Sequence, residues 1–454
     1  MVKILMIGKS GRIDCIADAL ARSSRPKKLY AFSEVNNPGL IEKLEGPVEI
    51  GKTDDLAHVE KYASRVRPDF AIIGPEEPLA AGVVDMLMGR LGIPCVGPTK
   101  SLTQLESSKS FTRELVSKYS IPGNPEYRIF QSLDGLEPYL RKIGEFVVKP
   151  DGLTGGKGVK IYGEHLHSIE EALQYCRFLL EKCQQPVVVE ERLDGEEFSL
   201  QSLCDGQHVV DMVVAQDHKR AFAGDSGPNT GGMGSYSCED HRLPFLSKEI
   251  IQEASKITLL VAQALLNKLG EEYKGILYGG FIVTKNGLRL LEYNARFGDP
   301  EVMNVLPILK TDFIDICESI INGTLHKVPI LFEQKATVCK YVVPNGYPAN
   351  PEKGISISMD DVPKESNELR IYYGAVNKKQ EGLYLTGSRA IAFVGIGDNL
   401  EEAEQIAEDA ANRVKGSVRH RKDIGTYSLI QKRVNHMQKV MEGKAHIMSS
   451  CISK

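Results

Sequence analysis

The sequence predicts a multidomain protein of mixed α/β and α+β class, and three observations carry that reading. Its 454 residues make two to four domains at roughly 100–200 residues each. Over residues 1–105, short apolar runs alternate with helical patterns, which is how buried strands joined by crossover helices read in a parallel sheet. Beyond Thr99 the texture changes, and an Asn286-Gly287 pair between two apolar runs marks an antiparallel hairpin.

In the first unit, residues 1–105, strands are expected at Val2–Ile7, 28–32, Phe70–Ile73 and 93–96, with a helix over 81–91. Ligands of a parallel sheet collect beyond the carboxyl ends of its strands, so loops 8–12 and 74–79 are candidate site loops. The second unit, residues 106–330, is entered along a helix over 102–119 and carries strands at 146–149, 159–162 and Val187–Glu191, with residues 122–190 forming a lid subdomain. A helix over Lys248–Leu269 precedes the hairpin strands 279–284 and 288–294. Residues 224–234 are so dense in glycine that no packed element is expected there. The third unit, 331–427, is small and β-rich, with strands at 336–343 and 382–394 and a helix over 400–414; the tail 428–454 adds a helix around its Lys-rich 431–443.

Charge excludes some functions. Lys plus Arg total 56 against 60 Asp plus Glu, and a net charge of −4 supplies no general field for nucleic acid or an anionic membrane. Nine scattered cysteines without a C-x-x-C pair read as reduced thiols, not disulfides or a zinc site. The apolar start is too short for a signal or a span, so the chain is expected to be cytoplasmic.

The candidate chemistry lies in loops. Gly8-Lys9-Ser10 is not a Walker A motif, because position 3 is Lys3, and Gly8 and Gly11 lack the spacing and third glycine of a dinucleotide fingerprint. What remains is a glycine loop at a helix N-terminus, suited to an anion with Arg12 as partner, or simply a tight turn. Lys149-Pro150-Asp151-Gly152 with Gly155-Gly156-Lys157-Gly158 lies between two strands and reads as a β-lid whose amides and lysines approach phosphates. Glu190, Glu191 and Glu197 follow an apolar strand, where a base edge and ribose hydroxyls would find partners. Alternation along 290–296 puts Glu292, Asn294 and Arg296 on one face: two hard oxygen donors for Mg²⁺ and a cation for a transferring phosphoryl group. His165 and His167 have no third ligand beside them and argue no zinc site.

The ordered set, from Gly74-Pro75-Glu76-Glu77-Pro78-Leu79 through the lid, Glu190 to Glu197, Gln216-Asp217-His218-Lys219-Arg220 and Pro228-Asn229-Thr230-Gly231-Gly232-Met233-Gly234 to Glu292-Tyr293-Asn294-Ala295-Arg296-Phe297-Gly298-Asp299-Pro300-Glu301, resembles the phosphoribosylamine-glycine ligase family from residue 1 to 427. The resemblance implies an N-terminal parallel-sheet Rossmann-like substrate domain (a pre-ATP-grasp domain), an ATP-grasp domain with its β-lid, and a small β-rich C-terminal domain. It implies an ATP-dependent carbon-nitrogen ligase of purine biosynthesis that activates glycine as glycyl phosphate and passes it to 5-phosphoribosylamine. By that resemblance Lys109, Lys149, Gly155, Gly156, Lys157 and Gly158 hold ATP phosphates, Glu190 and Glu191 face the adenine hinge, and Glu197 faces the ribose. Glu292 and Asn294 hold Mg²⁺ or Mn²⁺, Arg296 and Lys149 are catalytic, and Gly11, Arg12, Pro75, Glu76, Asp217, Pro228, Asn229, Thr230, Gly231, Gly232, Met233 and Arg296 bind the other substrates. The partners implied are these small molecules alone, with the chain a monomer or homodimer. The first loop departs from the family's Gly-x-Gly-Gly-Arg-Glu-His, with Ser10 for a glycine and Ile13-Asp14 for Glu-His, and Asp14 is expected to cap the following helix. Two other functions stay open: an ATP-grasp carboxylate-amine ligase with a changed acceptor, and a nucleotide-binding regulatory protein without turnover.

Overall fold

A computed structural model describes residues 1–153 and 158–452, with side chains described as far as residue 442. Gly155, Gly156 and Lys157 of the expected lid loop therefore lie outside the described residues.

The first sheet is parallel throughout, in the order Glu49–Ile50, Lys27–Ser33, Val2–Ile7, Phe70–Ile73, Cys95–Val96. Strand order reverses at Val2–Ile7, which opens a crevice beyond its carboxyl end. Gly8 and Gly74 leave the sheet at that crevice, their amides donating to Phe32 O and Ile7 O at 3.0 and 2.9 Å. Two elements differ from the expectation for local reasons. Residues expected as a loop over 74–79 form the helix Glu76–Ala81, which Gly82 at φ +93° separates from Val83–Leu91, the helix expected over 81–91, and Pro94, which has no amide to donate, precedes a strand of only Cys95–Val96.

The helix expected over 102–119 also breaks, into Gln104–Ser107 and Lys109–Lys118. Ser108 is extended there, and its hydroxyl caps the second helix by accepting from Phe111 N at 3.1 Å. The lid subdomain is an antiparallel sheet in the order Tyr127–Phe130, Val187–Glu191, Phe146–Pro150, Lys160–Ile161, with its own apolar core around Phe130, Leu140, Phe146 and Val189. A second sheet carries Gly195–Asp205, Lys274–Thr284 and Gly287–Asn294. Helix Lys248–Leu269 runs from the Ser247 cap to Gly270 in the left-handed region.

The glycine-dense stretch is not the loop that composition suggested. Arg220–Phe222 and Ser226–Asn229 pair as a hairpin, and Gly234–Ser237 lies in a sheet between Gln216–Asp217 and Ala336–Pro344. Glycine is needed at 234 because a Cβ there would stand 2.2 Å from Cys339 O. One sheet thus joins the second unit to the third. The strand expected over 382–394 is two strands in different sheets, Gly382–Leu385 and Ile391–Gly397. The tail forms helix Tyr427–Ile452, and among the described residues no helix is long and apolar enough to cross a membrane.

Candidate active site

The strand Gly287–Asn294 sets the geometry of the cleft. Opposite it, Gly280 pairs with Glu292 while Phe281 pairs with Leu290, so Leu291 is an extra residue, a bulge. Simple alternation would put Glu292 on the buried face with Leu288 and Leu290. The bulge gives that face to Tyr293 and turns Glu292 and Asn294 outward. Arg113, itself buried, fixes the bulge by donating to Leu290 O at 2.9 Å and Leu291 O at 2.7 Å.

The same guanidinium holds Glu190 through two bonds of 2.7 and 2.9 Å, and Lys149 Nζ donates to Glu190 Oε2 at 2.7 Å. Glu190 is therefore spent on a buried ion triad, and its backbone is paired to Tyr127 and Val147 in the lid sheet. Burial alone would raise its carboxyl; Arg113 and Lys149 outweigh that and bring it down to about 2. Glu191 pairs with Glu126 in both directions, N to O at 2.9 Å and Oε1 accepting from Glu126 N at 2.9 Å. Glu190, through Arg113, ties this sheet to the strand Gly287–Asn294, while the bonds of Glu191 stay within the sheet.

Around Glu292 the charges are cationic. Its side chain is 44% exposed, with Lys219 Nζ at 4.0 Å, and Lys219 also reaches Glu197 at 3.4 Å. Burial would raise the Glu292 carboxyl, but Lys219, Lys149, Lys109 and Arg296 outweigh it and hold it below its ordinary range. Lys109 Nζ donates to Gly152 O at 2.8 Å, next to the loop whose centre is outside the described residues, and Gly158 O accepts from Tyr175 Oη at 2.7 Å.

Arg296 lies beyond the strand's end between two carboxylates, Glu76 at 3.1 Å and Glu106 at 2.9 Å, and its Nη2 reaches Asn294 Oδ1 at 3.3 Å. Arg12 is buried beside them, donating to Gly74 O at 2.7 Å with Glu76 at 3.8 Å. The pair of acids divides: burial raises Glu106, while for Glu76 the two arginines overcome burial and lower it.

The glycine loop closes the other side. Arg389 Nη1 donates to Gly231 O, Gly232 O and Asp299 O at 2.6, 3.1 and 2.7 Å. Thr230 Oγ1 accepts from Gly232 N at 3.0 Å, Met233 is buried, and Gly232 at φ +110° lies over Asp217 so closely that a Cβ would stand 2.6 Å from Asp217 Oδ1. That Oδ1 is buried with no partner among the described residues, as are Arg12 Nε, Gln201 Nε2 and Asp299 Oδ2. Such atoms are rare in folded proteins. Burial first, then Glu301, raises the Asp217 carboxyl well above its ordinary range.

The expected residues do not all converge. Arg12, Glu76, Asp217, Glu292, Asn294 and Arg296 share the cleft with Lys109, Lys149 and Glu197. Gly11 instead packs where a Cβ would meet Tyr341 Oη at 2.5 Å, Pro75 is buried against Gly8, Pro228 is exposed on the hairpin, and Asn229 pairs with Arg220. Arg113, Glu106 and Arg389 join the site unforeseen, since single charged residues in helices and loops carry no local sign of what they meet, while Lys219 joins it from within the 216–220 motif. Glu301, which accepts from Tyr278 Oη at 2.7 Å, stood at the end of a quoted motif and was findable there.

The phosphoribosylglycinamide synthetase N-domain family matches residues 2–106, its ATP-grasp (A) domain family residues 107–302 and its C-domain family residues 337–427. The chain belongs to the phosphoribosylglycinamide synthetase family. It is 45% identical over 439 residues to the phosphoribosylamine--glycine ligase of Methanocella arvoryzae and 46% identical over 446 residues to that of Methanocaldococcus jannaschii, in each case over 97% of this chain and 100% of the other. The crystal structure of phosphoribosylamine--glycine ligase from Thermotoga maritima superposes with a TM-score of 0.78 at 26% identity, covering 93% of this chain and 100% of that one.

The unusual first loop of this phosphoribosylglycinamide synthetase family member is explained by packing, and the expectation that Asp14 caps the helix Gly11–Ala21 is wrong. The N-cap is Ser10, with no side-chain cap bond. Asp14 is fully buried and accepts from Lys43 Nζ at 2.9 Å and Tyr373 N at 2.8 Å, over Gly39, where a Cβ would stand 1.9 Å from its Oδ2. The residue ties the first unit to the third and points away from the cleft. Burial, only partly offset by Lys43, raises its carboxyl from 3.8 to about 6. The more exposed Lys43 is raised too: burial opposes that shift, and Asp14 outweighs it.

A raised acid is protonated more readily in the folded chain, so its contribution to stability falls as pH rises from about 4 to about 6 and is level above. Asp14→Asn removes that slope. Relative to the parent, the variant is therefore expected to gain up to about 3 kcal/mol between pH 4 and pH 7, as read by denaturant melts at the two pH values. An equal difference at both would contradict the shift.

Proposed function

We propose that the chain ligates glycine to 5-phosphoribosylamine with ATP, giving glycinamide ribonucleotide, ADP and phosphate in purine biosynthesis. The observation that carries the reading is one cleft with two poles. Lys109, Lys149 and Lys219 surround the half-exposed Glu292 on one side, and the unpartnered Asp217 lies under the glycine loop on the other.

The donor set fits a hard divalent cation: a carboxylate turned outward by the bulge beside an amide oxygen. Glu292 and Asn294 would hold Mg²⁺ or Mn²⁺, and the bound ion neutralises phosphate charge. The chain's own groups do the rest. Lys149 and Lys109 screen the phosphates, and ATP must draw Lys149 from Glu190, which keeps Arg113. Arg296, held by Glu76 and Glu106, is pre-placed to meet the equatorial oxygens of the phosphoryl group in transfer. Asp217 takes the ammonium of glycine, and that cation restores its charge. A glycine carboxylate oxygen bonds to the γ-phosphorus as its bond to the bridging oxygen breaks, releasing ADP. The phosphoribosylamine nitrogen then bonds to the acyl carbon, the C–O bond breaks, and phosphate leaves with the proton. Holding two reactants in line supplies roughly 7–11 kcal/mol of such a barrier.

Glycine labelled with ¹⁸O in its carboxylate tests this route. One labelled oxygen per turnover is expected in inorganic phosphate, and unlabelled phosphate would overturn carboxylate activation. Asp217→Asn is expected to raise the KM for glycine by about 10–100-fold, the worth of a charged hydrogen bond, with that for ATP changed less than about threefold. A variant that moves the ATP constant most would place Asp217 at the other pole.

A further inference from the structure

Strand Gly195–Asp205 begins at the cleft with Glu196 and Glu197 and ends about 30 Å away at a second cluster. We infer that Asp205, His208 and His326 form a zinc-binding site there. Asp205 is fully buried, and His208 follows it in the turn through Gly206, at φ +98°. His326 comes from the short turn Leu325–Lys327 after helix Phe313–Asn322. One ligand atom from each residue lies within 4.8 Å of the others.

The carboxylate is oriented before any ion arrives. Its Oδ1 accepts from the amides of Gln207 at 3.0 Å and His208 at 2.7 Å, which fills both lone pairs. Its Oδ2 accepts from Leu325 N at 2.9 Å and has one lone pair left, with His208 Nδ1 3.1 Å away.

A proton on His208 Nδ1 would account for that one contact. It does not account for the second imidazole, whose centroid is 4.4 Å from that of His208 at an interplanar angle of 37°. The second ring adds a nitrogen donor within 4.8 Å of the other two ligand atoms. A cation between the rings uses both. Ligand atoms on tetrahedral zinc at about 2.0–2.1 Å are about 3.3 Å apart, and these three lie within 4.8 Å of one another. His208 is 37% exposed and His326 is exposed, which gives an ion a way in and leaves a fourth position to water. Two imidazoles with a carboxylate select zinc over the harder Mg²⁺ of the cleft. Bound there, the ion staples the end of the strand to the segment after Phe313–Asn322 and stabilises only the folded chain.

The test is titration of metal-free full-length protein with Zn²⁺ alone, without ATP or Mg²⁺, beside the visible spectrum of a Co²⁺ complex. One equivalent is expected to bind, with four-coordinate Co²⁺ bands and no thiolate charge-transfer band. Losing an outer partner of a metal ligand costs about 10–100-fold in affinity, and His208→Ala and His326→Ala should each lose at least that. Glu292→Gln in the cleft and Cys183→Ser at an exposed thiol should leave binding unchanged. Zinc should raise the melting temperature of the parent and of neither histidine variant, while all melt alike without metal. No binding, binding that survives in both histidine variants, or binding lost with Glu292 or Cys183 would each overturn the site.

Discussion

Glu292→Gln is expected to lower turnover by about 10²–10³-fold, the scale of losing one preorganised electrostatic group at a reacting centre, while stability changes by less than about 0.5 kcal/mol. The split follows from the surroundings of the side chain. It is half-exposed, and its nearest cation, Lys219 at 4.0 Å, keeps Glu197 as a second partner, so folding loses little. Catalysis loses more, because Lys109, Lys149, Lys219 and Arg296 all face a site whose one outward carboxylate would be neutral. The ion would then have lost the carboxylate of the pair proposed to hold it. Steady-state rates at saturating Mg²⁺ beside a melt measure both, and near-normal turnover would remove Glu292 from the metal site.

Arg113→Met is expected to destabilise the chain by about 3–5 kcal/mol, the usual result of stripping one partner from a buried ion pair. Glu190 would keep only Lys149, the Leu290 carbonyl would lose this donor, and Leu291 O would keep only Lys149 Nζ at 3.4 Å. Turnover should fall as well, since that donor sets the bulge which aims Glu292. Adding Glu190→Gln to Arg113→Met should recover part of the stability and little of the activity. Denaturant melts of the two singles and the double close the cycle. A loss below about 1 kcal/mol for Arg113→Met would mean that the triad is not what joins lid to cleft.

Where the sequence could be read, the signals were local. Ser247 and Gly270 bound the helix Lys248–Leu269, and Asn286-Gly287 turns the hairpin beneath Glu292, each through caps or positive φ that adjacent residues specify. The constellation of Glu292, Asn294 and Arg296 was legible for the same reason. The bulge that turns Glu292 outward was not, because Leu291 is set apart by Arg113 and Lys149, residues on other elements. Ser108 broke a helical pattern by capping, and Gly234 is a glycine for the sake of Cys339 O, far along the chain. Asp14 shows the limit best. At a helix start it looks like a cap, and only Lys43 and Tyr373, brought there by the fold, make it a buried tie.

The central claim is that this cleft activates the carboxylate of glycine for one particular amine, and the most direct measurement is ADP formation with ATP and glycine, with and without phosphoribosylamine. Sustained ADP release is expected only when all three are present, with one glycinamide ribonucleotide formed per ADP. Full-rate ADP release without phosphoribosylamine, or with another amine in its place, would contradict the account.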